Sequence, residues 1–105
     1  MKTKLLDITD VIRSKNAGPY ELTFDIMFKT QDWFEKVVAA GVINADLICT
    51  LYRIPPEDLI GIVEFAPAKA IKVTIRRPRP SGSLGETDVY GAQQHAPLLD
   101  LVFDL

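Results

Sequence analysis

The chain has 105 residues, 48% of them hydrophobic and 25% charged, with a formal net charge of −2. Those proportions describe one globular domain over residues 1–105 that needs neither a metal nor a disulfide to fold. They exclude the broad single-sign field of a nucleic-acid or anionic-lipid binder. The opening MKTKLLDITD places Asp7 and Asp10 inside its first apolar stretch, which argues against a signal peptide, and no run is long enough to span a membrane. A cytoplasmic protein with no membrane association is expected.

The region from Leu5 to Arg13 reads two ways. Leu6 and Ile8 suit a strand, whereas Thr9 capping a turn through Val11 and Ile12 suits a short helix. The run Arg13-Ser14-Lys15-Asn16-Ala17-Gly18-Pro19 reads as a polar turn. From Glu21 to Phe28, Leu22, Phe24, Ile26 and Phe28 alternate with Glu21, Thr23, Asp25 and Met27, the period-two signature of a strand with one wet face.

A helical hairpin follows. Thr30 is a plausible N-cap, Asp32 suits the positive helix start, and Trp33, Phe34, Val37 and Val38 form an apolar stripe that ends at Gly41. Asn44 caps a second helix carrying Leu47, Ile48 and Leu51, which stops before Pro55-Pro56. Within it, Cys49 reads as a core cysteine, because a lone thiol makes no intrachain bridge.

Leu59 to Phe65 and Ala70 to Arg77 form a β-hairpin about Ala66-Pro67-Ala68-Lys69. In its second strand Ile71, Val73 and Ile75 share one face, and Lys72, Thr74 and Arg76 the other. A positively charged sheet face results, within a basic stretch that includes Lys69, Arg77 and Arg79. It carries no exposed aromatic on which a base could stack, so nucleic acid is not expected as a partner. Pro78 and Pro80 end the strand, a glycine-rich polar loop follows, and Leu99, Leu101 and Phe103 alternate with Asp100, Val102 and Asp104 as a closing strand. Two helices on one side of a mainly antiparallel sheet give an α+β, ferredoxin-like sandwich.

Two constellations are able to carry chemistry. In the first, Arg13 offers a planar fork, Lys15 a mobile charge, Ser14 a hydroxyl and Asn16 an amide, a set suited to a carboxylate or phosphate. The alternative is a solvated turn. In the second, Asp88, Tyr90, Gln93, Gln94 and His95 cluster in sequence. His95 is the only histidine and hence the natural acid–base group near neutral pH, with Asp88 as a possible orienting carboxylate; the alternative is a hydrogen-bonded structural histidine. Neither constellation supplies a zinc ligand set, and no cofactor is expected.

The run Asp10-Val11-Ile12-Arg13-Ser14-Lys15-Asn16-Ala17-Gly18-Pro19-Tyr20-Glu21 and the later Asp88-Val89-Tyr90-Gly91-Ala92-Gln93-Gln94-His95-Ala96-Pro97-Leu98-Leu99 resemble an uncharacterised family of small stand-alone bacterial proteins. That family is similar to the ferredoxin-fold domain at the C-terminus of AtuA, the acyclic terpene utilisation protein. Arg13 and Ser14 match the start of an Arg-Ser-Gly-Asp-Lys-Gly-type turn, whereas Lys15-Asn16-Ala17-Gly18 departs from it. The resemblance implies a small companion subunit of an AtuA-like large protein in carboxylic-acid or acyl-CoA catabolism, with hydratase or lyase chemistry as one form. No catalytic residue comes with it.

On that reading Arg13, Ser14, Lys15 and Asn16 meet Asp88, Gln93 and His95 in a pocket for a carboxylate or CoA ester, provided the strand from Glu21 and the closing strand run side by side. An oligomer or a stable complex is expected. Two alternatives stay open: a self-sufficient enzyme using His95 as acid–base, and a homo-oligomeric structural or binding module.

Overall fold

The computed structural model describes residues 2–18, 20–76 and 96–105. A short strand, β1 (Lys2–Lys4), runs into a single helical turn, α1 (Leu5–Ile8), and then into the long strand β2 (Thr9–Gly18). The ambiguous N-terminal region is thus both helix and strand, and Thr9 closes the helix instead of opening one. Its Oγ1 donates to the Leu5 carbonyl at 2.9 Å, which holds the turn as the backbone becomes extended.

Strand β3 (Glu21–Phe28) occupies the residues expected of it. Helix α2 (Gln31–Ala40) is capped by the Thr30 side chain, which accepts from the Trp33 N–H at 3.1 Å, and ends at Gly41 with φ +64°. Only a residue without Cβ takes that left-handed conformation cheaply. Helix α3 (Ala45–Tyr52) is capped by Asn44, whose Oδ1 accepts from the Leu47 N–H at 2.9 Å. Strands β4 (Leu59–Phe65) and β5 (Ala70–Arg76) form the expected hairpin, turning through a 3-10 segment at Ala66–Ala68.

The main sheet is antiparallel with order β2-β3-β5-β4, so β3 and β5 are central and β2 and β4 are edges. Leu22, Phe24, Ile26 and Phe28 of β3, with Ile71, Val73 and Ile75 of β5, are buried against the helices. Phe24 stacks on Tyr52 of α3 at 4.6 Å, and Phe28 meets Phe34 of α2 edge-on at 6.2 Å. These contacts set both helices on one face of the sheet and give the α+β, ferredoxin-like sandwich its two layers. In chain order the sheet is a hairpin, a helix pair and a second hairpin. Val38, Leu47 and Leu51 pack at the core's margin, and Cys49 is half-buried instead of deep in the core.

The closing strand differs from expectation. Ala96–Asp100 is a 3-10 segment that buries Leu98, and only β6 (Val102–Asp104) is extended. It pairs antiparallel with β1 in a separate two-stranded sheet, with Thr3 opposite Phe103. Proline at 97 suits the start of that helical segment, which runs on through Leu99 and Asp100 and so takes the first residues expected of the strand.

Candidate functional site

Two polar positions in the middle of β3 do not face bulk water, whereas Glu21 at its start does. Thr23 and Asp25 are each only 5% exposed, although among the described residues no α-helix lines that face. They sit on a central strand, where side chains of β2 and β5 flank them on either side. Cross-strand pairing arranges this outer face in rows, because residues directly opposite one another share a face. Arg13, Asp25, Lys72 and Val63 form the middle row. On one side of it lie Lys15, Thr23, Thr74 and Gly61; on the other lie Val11, Met27, Ala70 and Phe65.

The middle row is the electrostatic centre. Arg13 donates from Nε to Oδ2 of Asp25 at 3.0 Å, and that carboxylate side chain is 7% exposed while the guanidinium side chain remains 56% exposed. A buried carboxylate is costly unless paired, so the Arg13 contact is what makes Asp25 tolerable at the middle of the sheet. Lys72 faces Asp25 from the other neighbouring strand, and Lys15 adds a third cation one row away. In the next row Thr23 and Thr74 bring their hydroxyls to 3.4 Å.

These rows enclose an open concavity of about 340 Å³, with Arg13, Lys15, Lys72 and Asp25 on one part of its wall and Met27, Val63, Phe65 and Ala70 on the rest. That volume lies at the small end of the range of ligand sites, about 300 to 1,000 Å³. Val63 and Phe65 are more than half exposed. Three cations set against one carboxylate leave an excess of positive charge, and the apolar wall supplies contact area. The arrangement can hold an anion; among the described residues it presents no nucleophile paired with a base, and no cluster of His, Cys, Asp and Glu suited to a metal.

Arg13, Ser14, Lys15 and Asn16 are not a turn. All four belong to β2, paired with Asp25, Phe24, Thr23 and Leu22, and the chain reverses only where Gly18 pairs with Glu21. The extended backbone divides them: Arg13 and Lys15 stand on the outer face, whereas Ser14 and Asn16 stand on the helix side, where Ser14 is buried. They therefore do not converge on one ligand.

Asp88, Gln93 and His95 lie outside the described residues, as does Tyr90. The side-by-side strands on which their meeting with Arg13 was expected are not present: β3 is flanked by β2 and β5, and β6 pairs with β1. The residues that sequence reasoning missed are Asp25, Met27, Val63 and Phe65. The available signal was Asp25 itself, an acid at mid-strand beside the prospective basic strand. A second depression, of about 390 Å³, lies by Lys2, Lys4, Asp7 and Trp33, but it is more open and lacks a buried polar group.

Two other features bear on chemistry. Burial pushes the Tyr52 phenol well above its ordinary value of 10.0, so it remains neutral and serves as a core aromatic. No helix among the described residues is long and apolar enough to cross a membrane.

The architecture is thus that of a small α+β sandwich, helices on one face and a charged concavity on the other. The chain belongs to the family described as a domain of unknown function (DUF4387), whose model matches residues 5–102. No curated protein and no solved structure matches it.

Proposed function

We propose that this chain is a companion subunit of an AtuA-like large protein acting on carboxylic acids or acyl-CoA compounds, and that its outer sheet face contributes an anionic-ligand half-site at the shared surface. The observation that supports this reading is the combination on one face of Arg13, Lys15 and Lys72 with the exposed Val63 and Phe65. A purely solvated sheet face has no need of large apolar side chains beside its cations, and a self-sufficient active site needs a reactive group beside them. An open, cationic and partly apolar wall fits one half of a site that a second protein closes.

The AtuA-like part of the proposal rests on the sequence runs at Asp10 to Glu21 and Asp88 to Leu99. Mixing the purified chain with the AtuA-like large protein of the same organism tests it. Light scattering is expected to report a joint species that Lys72→Glu weakens. Separate elution of the two proteins contradicts the companion role.

A further inference from the structure

The rows of the outer face are graded, and the grading specifies a ligand. Moving along β3 from Thr23 to Met27 crosses about 13 Å of sheet. Over that distance the outer face changes from Lys15 with two threonine hydroxyls, through Arg13, Asp25 and Lys72, to the wholly apolar row of Val11, Met27, Ala70 and Phe65. The concavity itself is lined by Lys15, the middle row and the apolar Met27, Ala70 and Phe65. Val63 stands beside Lys72 and extends the apolar part along β4. One end of the concavity thus attracts negative charge, and the other offers only contact area.

We infer that this concavity binds an amphiphilic monocarboxylate, its carboxylate held among Lys15, Lys72 and the exposed end of Arg13, and its acyl chain laid over Met27, Phe65 and Val63. The inference rests on the anionic half-site proposed above and names its ligand class. Inorganic phosphate satisfies the cations but leaves the apolar row uncovered. An acyl thioester places a neutral carbonyl where the cations stand, and its phosphates extend far from the acyl carbon. A free carboxylate carrying a medium-length chain satisfies both ends at once. Asp25 sets the charge limit: its carboxylate already occupies Arg13 Nε, so a second carboxylate on the ligand adds repulsion.

The test is titration of the 105-residue chain with octanoate, followed by backbone amide shifts, with acetate, octanol, octanoyl-CoA and inorganic phosphate as comparisons. Octanoate is expected to move the amides of β2, β3 and β5 on the outer face. Acetate is expected to bind about tenfold more weakly for want of the chain, and octanol about tenfold more weakly for want of the charge. Lys72→Met and Phe65→Ser are each expected to weaken octanoate binding, the second without changing the weak affinity for acetate.

Equal affinity for octanoate and acetate, or for octanoate and octanol, overturns the amphiphile assignment. Tighter binding of octanoyl-CoA or phosphate overturns it in favour of another anion and leaves the half-site standing. Absence of any anion binding to the chain, both alone and in its complex with the large protein, removes the half-site, while the complex itself still reports on the companion role.

Discussion

The two faces of β3 come from one eight-residue strand, and both carry buried positions at its middle, yet these are covered in different ways. On the helix side Leu22, Phe24, Ile26 and Phe28 are covered by other elements, and their burial contributes to stability through apolar contact. On the outer side Thr23 and Asp25 are flanked, among the described residues, by side chains of adjacent strands, and the burial of Asp25 carries a desolvation cost that the Arg13 contact offsets. The difference teaches that low exposure alone does not mark a core. A buried position supports the fold where a second layer provides the cover. Where the strand's own neighbours provide it, a polar position needs a partner across the sheet to be tolerated.

The first prediction uses the largest contrast. Phe24 is fully buried, stacked on Tyr52, and Phe24→Ala should lower the unfolding free energy by about 3 to 5 kcal/mol in urea denaturation. A loss of less than about 1 kcal/mol would place the core elsewhere. Arg13→Ala comes next, because it leaves the Asp25 carboxylate without its guanidinium. With Arg13 itself largely exposed, the expected cost is about 1 to 2 kcal/mol, and Asp25→Asn in the same background should recover part of it. No recovery would show that the two side chains are not energetically coupled.

A smaller effect appears only in alkali. The folded protein holds the Tyr52 proton more tightly than the unfolded chain does, so the unfolded state loses its proton first as the pH rises. The contribution of Tyr52 is therefore fully present below pH 10 and declines as the pH climbs above it. The difference in stability between wild type and Tyr52→Phe should accordingly become pH-dependent above pH 10, with the wild type losing ground. A constant difference through that range would mean that Tyr52 is as solvated in the folded protein as in the unfolded. The smallest stability change belongs to the outer face: Phe65→Ser, at a side chain 54% exposed, should shift the unfolding free energy by no more than about 0.5 kcal/mol. A cost near that of Phe24→Ala would make the outer face a second core.

The elements set by short-range rules are legible in the sequence. β3 alternates cleanly, Thr30 and Asn44 cap their helices through their own side chains, and Gly41 ends α2 because it takes a positive φ. The site is less legible, since it depends on which strands become neighbours. Arg13 to Asn16 look like a turn because polar residues fill consecutive positions. An edge strand tolerates that pattern when one face is charged and the other reaches the margin of the core, and pairing with β3 supplies the backbone hydrogen bonds. Asp25 reads as solvent-facing until register sets it between Arg13 and Lys72. The length of the closing strand likewise depends on β1, a partner almost a full chain length away in sequence.

The central proposal is that the outer sheet face, and not the helical face, binds the proposed ligand and companion protein. It is tested most directly by recording backbone amide spectra of the labelled chain with and without the AtuA-like large protein. The account predicts that signals lost or shifted on binding cluster on Arg13, Lys15, Asp25, Val63, Phe65 and Lys72, and that Lys72→Met weakens those changes. Changes confined to α2 and α3, with the outer face untouched, would contradict it.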